Sequence, residues 1–177
     1  PLAKTYMDSV KVNFKSNKFD KAIEWSKKAL QIYHNNKNVD TLIILANNKI
    51  AESFLYKGGL DSSFFYSNKS LRRLKLNKHF SGSSMTYRLH SIIAYYKGDY
   101  QKSLDLGEKA LTFSISFFGE QDPETIRQSA DLAHLFYTLN KYDKAIYYNK
   151  KAIRNSLNAT QDKNELLSRS YIGLANI

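Results

Sequence analysis

The sequence repeats one pattern at a spacing of about forty residues, and this feature limits the possible folds more than any other. The clearest copy spans residues 141–153, where an aromatic residue opens a helical stretch and small residues recur on one face. A small residue near the start marks each copy, and the four markers, 41, 40 and 42 positions apart, are Ala22, Ser63, Ser103 and Ala145. A constant period of this length is typical of a solenoid of stacked units.

Each copy consists of two helical patterns separated by a turn. Apolar and small residues recur every three or four positions on one face of each pattern, and lysines occupy much of the other. The preceding helix also carries a small residue at a fixed place, and these residues are Ala51, Ser91, Ala133 and Gly173. Gly and Asn tolerate the left-handed conformation that ends helices. The predicted turns are Asn17-Lys18, Gly58-Gly59, Gly98-Asp99 and Asn140-Lys141.

These patterns predict an all-α chain of about four and a half helix–turn–helix units. Only two prolines and seven glycines occur in 177 residues, which favours continuous helices. Asp122 is a predicted N-cap and Pro123 a first helical residue, so this boundary is the sharpest. The predicted units are 2–36, 39–80, 84–118, 123–158 and the first helix of a fifth, 163–177. The predicted helices are 2–16, 19–35, 39–57, 60–78, 84–97, 100–118, 123–139, 142–157 and 163–177.

Composition excludes several classes of function. The chain has no cysteine, which excludes a disulfide framework, thiolate metal sites and cysteine nucleophiles. The longest apolar runs fall short of the roughly 20 residues that span a bilayer. No histidine pair has the spacing of a zinc protease, and no glycine-rich phosphate loop is present. We therefore expect no catalytic residue, metal or cofactor. We expect a cytoplasmic location, although the same composition also suits the periplasm.

The repeated unit resembles the tetratricopeptide repeat over essentially the whole chain. Residues 139–145 and 96–100 are the closest matches to the motif of that family. The second unit departs from it, since Leu60 and Ser63 stand where an aromatic residue and an alanine are usual. The period exceeds the usual 34 residues. This length and residues 118–125 are similar to the kinesin-light-chain-like subgroup, which in bacteria often precedes a protease, kinase or regulator domain. We therefore expect a segment of a larger signalling or effector protein.

The resemblance implies a right-handed superhelix that binds a peptide or protein on its concave surface. In this family that surface is formed by the first helix of each pair. Polar side chains on such rigid helices can make oriented hydrogen bonds to a peptide backbone or an acidic group. The alternative is that these side chains are merely solvated. The candidate groove residues are Lys11, Lys15, Asn48, Glu52, Arg88, Tyr95, Arg127, His134 and Tyr137.

Two further hypotheses stay open at the level of the sequence. The net charge of +11 suits an anionic partner such as nucleic acid, although a solvated convex face explains the same lysines. The densest basic run is Lys69, Arg72, Arg73, Lys75 and Lys78. The apolar stretch 166–177 suggests homo-oligomerisation through the last repeat. The recurring aromatic residues that open the second helices are predicted to lie in the core, and these are Phe19, Tyr100 and Tyr142.

Overall fold

A computed structural model describes residues 2–35, 39–74, 82–159 and 162–177. All regular secondary structure in these ranges is helical, which confirms the predicted all-α repeat fold. The helices are α1 (Leu2–Lys15), α2 (Phe19–His34), α3 (Asp40–Tyr56), α4 (Leu60–Leu74), α5 (Gly82–Tyr96), α6 (Tyr100–Phe118), α7 (Pro123–Thr138), α8 (Tyr142–Leu157) and α9 (Lys163–Ala175). No helix in the described part of the chain is long and apolar enough to cross a membrane.

One turn geometry recurs within the helix pairs. The residues that follow α1, α3, α5 and α7 include Asn17, Gly58, Gly98 and Asn140, with φ of 56°, 78°, 78° and 57°. The next backbone N–H reaches back five residues to a carbonyl, as from Lys18 to Asn13 at 2.8 Å. The same bond forms at the other three turns. This is the Schellman arrangement that satisfies the last carbonyls of a helix. The four left-handed residues are 41, 40 and 42 positions apart, the period found in the sequence.

Most helix boundaries agree with the predicted ones to within two residues, and α5 shows the informative difference. The third unit was predicted to begin at residue 84, but α5 begins at Gly82 and includes Ser83. Its first turn is anchored, since the Gly82 carbonyl accepts a hydrogen bond from Asn48 Nδ2 at 3.1 Å and lies 3.1 Å from the Thr86 hydroxyl. The predicted end of the fourth helix, 75–78, and residues 36–38, at the boundary of the first two predicted units, lie outside the described residues.

The described chain forms two compact units. In the first, Pro1–Ile93, apolar residues of α1, α2 and α3 form one core that includes Ile23, Leu30 and Ile50. Buried Ala29 and Ala46 contribute to the same core, and small residues there allow helices to approach closely. The predicted small positions Ala22, Ala51 and Ser63 are fully buried, with 0% of their surface exposed, as close helix packing requires.

The second unit, Ala94–Ile177, has two adjoining apolar clusters. One contains Leu104 and Leu111 from α6 with Leu132 and Phe136 from α7. The other joins Ile126 and Ala130 of α7 with Ala152 of α8 and Leu166 of α9. Gly173 lies so close to Asn149 that a methyl group built at Gly173 would meet Asn149 Oδ1 at 2.5 Å. The small residue predicted at this position therefore has a steric cause.

The aromatic residues that open the second helices are not core residues, contrary to the prediction. Tyr100 and Tyr142 keep 40% and 46% of their surface exposed, and Phe19 is partly buried. Each ring packs on an aromatic residue five positions earlier, across the turn, with ring centroids 5.4–5.9 Å apart. The turn directs these rings onto the end of the preceding helix, so they cover the turn and remain accessible to solvent.

Candidate functional site

The candidate residue Asn48 is an interhelical link. Its side chain is buried between α3 and α5, with 1% of the residue exposed. Asn48 Nδ2 donates to the Gly82 carbonyl, and Asn48 Oδ1 accepts from Thr86 Oγ1 at 3.1 Å. Because these bonds hold α3 against α5, the amide of Asn48 does not face a ligand as the sequence hypothesis supposed.

Glu52 and Arg88 do come together, but as an internal ion cluster. Arg88 Nη1 lies 3.6 Å from Glu52 Oε1, and the two side chains are 11% and 8% exposed. Lys49 Nζ donates to Glu52 Oε2 at 2.7 Å and lies 4.8 Å from the centre of the Phe14 ring. Sequence reasoning missed Lys49, although its position three residues before Glu52 places the two on one helical face. The cluster links α1, α3 and α5 within the first unit.

The two lysines predicted on α1 are exposed and make little contact. Lys11 forms an ion pair with Asp8 at 3.5 Å, with both side chains more than half exposed. Lys15 is also exposed, at the end of α1. Exposed pairs of this kind contribute little to stability. These residues are accessible, but no structural feature in the described chain orients them toward one position.

Arg127 is surrounded by carboxylates of its own chain. Its guanidinium lies 2.8 Å from Asp162 Oδ2, 3.8 Å from Glu165 Oε1 and 4.0 Å from Glu124 Oε2. One turn further along, Asp131 pairs with Arg169 of α9. These pairs fasten α9 to α7, and Asp162 adopts a left-handed backbone with φ of 55° beside Arg127. Arg127 therefore has a structural role that accounts for its charge.

The remaining candidates form an accessible aromatic group in the second unit. Tyr95, at the end of α5, has its ring centroid 5.8 Å from that of His134 on α7 and 5.6 Å from that of Tyr100 on α6. Tyr95 Oη lies 3.5 Å from His134 Nε2. Tyr137, one turn after His134, has its ring 5.9 Å from that of Tyr142. We call Tyr95, Tyr100, His134, Tyr137 and Tyr142 the aromatic surface.

Contacts with the core of the second unit and with a turn residue hold the aromatic surface in place. Tyr95 and Tyr137 are partly buried and pack against the core of the second unit. Tyr142 Oη donates to Asn140 Oδ1 at 2.9 Å, which ties this ring to the left-handed turn residue. Anchored rings of this kind lose little freedom when a partner binds, and tyrosines are enriched at binding hot spots.

The basic run predicted to meet an anionic partner is partly occupied by contacts within the chain. Arg73 pairs with Asp40, and Lys69 Nζ lies 4.4 Å from the centre of the Phe65 ring. Arg72 is exposed, while Lys75 and Lys78 lie outside the described residues. At the last repeat, Tyr171 and Ile172 of α9 are more than half exposed. Among the described residues, no group of three or more His, Asp or Glu side chains could hold a metal ion.

Comparison with known proteins links the fold to one repeat family. Residues 83–158 match a family model described as tetratricopeptide repeat. No curated protein matches the chain by sequence.

Three solved structures illustrate the likeness. BtubC (BKLC) from P. vanneervenii has a TM-score of 0.77 at 17% identity, and the match covers 93% of this chain and 67% of BtubC. Kinesin light chain repeats resembling tetratricopeptide repeats, from Podosopora anserina, have a TM-score of 0.67 at 9% identity, covering 98% and 87%. The TPR2AB domain of yeast Sti1, in its complex with pHSP90, has a TM-score of 0.50 at 17% identity, covering 98% and 82%. At these identities the matches show the fold alone.

Proposed function

Since residues 83–158 belong to the tetratricopeptide repeat family and the chain as a whole has the fold of such repeats, we propose that the protein is a non-catalytic scaffold that binds a peptide or protein. A scaffold of this kind has no chemistry of its own and acts by binding its partner. Its place as a regulatory segment of a larger signalling protein is part of the same proposal. The Sti1 structure, a complex with pHSP90, supports this class of function by analogy of fold.

We place the binding site on the aromatic surface of the second unit. The observation that carries this choice is that Tyr95 and His134 are in contact, anchored on helices, and reachable from solvent. Asn48, Glu52, Arg88 and Arg127 support the scaffold instead, since their polar groups bond to the chain itself. Of the original candidates, Tyr95, His134 and Tyr137 therefore remain for the partner.

Site-specific photocrosslinking in cells tests the position of the site. A photoreactive phenylalanine analogue at His134 should form an adduct with a partner protein, because this side chain is exposed within the aromatic surface. The matched control places the analogue at Lys109, which is exposed on α6 of the same unit. Adding Tyr142→Ala should remove the adduct at position 134. Equal adducts at both positions, or none at position 134, would contradict the proposed site.

A further inference from the structure

Helix α9 exposes an apolar side chain at a position that is buried in other repeats. Ile172 is 59% exposed, and the neighbouring Tyr171 is 54% exposed. Each residue at this position comes directly before the repeated small residue of its helix, and in the second, third and fourth repeats these residues are Ile50, His90 and Leu132. They are only 0%, 8% and 1% exposed. The repeat therefore places Ile172 where three of its counterparts are covered.

In the fourth repeat, the second helix contributes to this cover. Leu132 of α7 belongs to the apolar cluster that contains Ala145 of α8, and Tyr148 of α8 packs against the same cluster. In the described chain Ile172 has no such cover, as its exposure shows. Exposed apolar side chains that lie together mark surfaces that bind another protein. The exposed face of α9 therefore suits a helix.

This face carries no charge, because the charged side chains of α9 are engaged by α7 and α8. Lys163 Nζ donates to a carbonyl at the end of α8 at 2.8 Å. Glu165 lies 3.8 Å from Arg127, and Arg169 pairs with Asp131, both on α7. The eight residues that follow Arg169 include no charged side chain. Two copies of a chain with a net charge of +11 repel each other least where the contacting faces are uncharged.

From these observations we infer that α9 binds α9 of a second copy of the chain in an antiparallel, two-fold symmetric dimer. Ser168 and Ala175 are exposed and lie four residues before and three after Ile172, so they share its helical face. In an antiparallel pair centred on Tyr171 and Ile172, Ser168 of one copy lies opposite Ala175 of the second copy. These small side chains allow close approach. The contact is self-complementary, as a two-fold interface requires.

A second copy fits this face better than other classes of partner. A nucleic acid or an acidic peptide needs free cations, whereas Lys163 and Arg169 already bond within the chain. A helix of a different protein is the remaining alternative, and a chain that stays single at every concentration would favour it. One helix face from each copy buries less than about 1,200 Å², so the dimer is weak and reversible. The interface excludes the aromatic surface, so the inference is independent of the proposed function.

Sedimentation equilibrium from micromolar to millimolar chain concentration tests the inference. We expect the average mass to rise with concentration from that of one chain toward that of two. Ile172→Glu places two like charges at the centre of the contact and should raise the dissociation constant roughly tenfold or more. The matched control is Val12→Glu, which adds the same charge at a side chain that is 65% exposed on α1. This variant should dimerise like the wild type.

Introduced cysteines test the antiparallel order by a separate measurement. The chain has no cysteine, so a mixture of Ser168→Cys and Ala175→Cys chains contains only the introduced thiols. Under air oxidation we expect the mixed disulfide between positions 168 and 175 to exceed either symmetric disulfide. Equivalent positions of the two copies lie ~10 Å apart along the helix axis, too far for a disulfide without movement of the backbone. Mass spectrometry distinguishes the three products.

Three results would overturn the inference. They are the mass of a single chain at every concentration, equal weakening by Ile172→Glu and Val12→Glu, and symmetric disulfides that match or exceed the mixed one. Circular dichroism of each variant first verifies that helicity is retained. Because the cysteine variants keep Tyr171 and Ile172 in place, their result does not depend on how the chain tolerates a glutamate at position 172.

Discussion

At the scale of single residues, the charged cluster of Glu52, Lys49 and Arg88 should contribute to the stability of the first unit. One nearly buried carboxylate faces two cations, so its removal leaves both without their shared partner. Glu52→Gln should therefore lower the free energy of unfolding by about 1–3 kcal/mol, because the charge-assisted hydrogen bond from Lys49 and the attraction to Arg88 are both weakened. Urea denaturation measures this change.

The matched control for Glu52→Gln is Glu24→Gln. Glu24 also pairs with a lysine, Lys28 at 2.7 Å, but the Glu24 and Lys28 side chains are 57% and 42% exposed. Exposed pairs on one helix face contribute little to stability. The denaturation midpoint of this variant should match that of the wild type. A similar loss in both variants would show that burial of the Glu52 cluster has no special role.

Two tyrosines should make the fold sensitive to high pH. Burial raises the pKa of Tyr33 above its ordinary value of 10.0. Burial, followed by the nearby Glu108 carboxylate, raises the pKa of Tyr148 in the same direction. A raised pKa means that the unfolded state loses its proton first. The stability that each neutral hydroxyl contributes is therefore present below about pH 10 and declines as the pH rises through the folded pKa.

Thermal unfolding between pH 9 and 11 checks this direction. Tyr148→Phe removes the titrating hydroxyl at position 148. The melting temperature of this variant should therefore fall less steeply with pH than that of the wild type. Tyr171→Phe provides the control, since Tyr171 is exposed on α9 of the same unit. Identical slopes for Tyr148→Phe and the wild type would contradict the expected contribution.

At the scale of elements, the left-handed turn is the part that the sequence predicted best. Gly98 has φ of 78°, where an L side chain is strained by roughly 1–2 kcal/mol. Gly98→Ala should therefore destabilise the chain by about that amount. Gly98→Asn should cost less, because Asn17 and Asn140 adopt the same conformation at equivalent turns. Chemical denaturation of the two variants measures the difference, and equal losses would contradict this explanation.

The helix faces were predictable for the same local reason. Small residues at a fixed spacing indicated close packing, and Ala51, Ala133 and Gly173 lie at tight contacts. The N-cap at Asp122 was also predicted, and its side chain accepts a hydrogen bond from the Glu124 N–H at 2.9 Å. Such features depend on neighbours within a few residues in sequence. A single sequence carries that information directly.

The candidate site was harder to predict because its contacts join distant residues. Arg127 was identified as a ligand for an acidic group, yet two of the three acids beside it are 35 and 38 positions later in its own chain. Asn48 was chosen for the same reason and instead bonds to Thr86. Polar residues that join neighbouring units have the same helical spacing as polar residues that face a partner. The two kinds of polar residue can be distinguished only when the position of the neighbouring helix is known.

At the scale of the whole molecule, the repeat architecture predicts that a destabilising substitution lowers the stability of its own unit and of the neighbouring helices most. In a solenoid, stability is approximately a sum of unit and neighbour terms. Ala145 of α8 is fully buried against α7. The larger side chain in Ala145→Leu would therefore force these two helices apart. Amide hydrogen exchange should accelerate most in α6 to α9 and least in α1 and α2. Uniform acceleration across all helices would indicate a single cooperative domain instead.

The recurrence of one turn geometry also has a consequence for recombination. Asn17 and Gly58 share a left-handed backbone and the same hydrogen-bond pattern on either side. A chain that passes directly from residue 17 to residue 59 would omit one complete period and still meet compatible backbone angles at the junction. The turns are therefore natural crossover points, at which unequal exchange between gene copies can lengthen or shorten the array without a break in its helices.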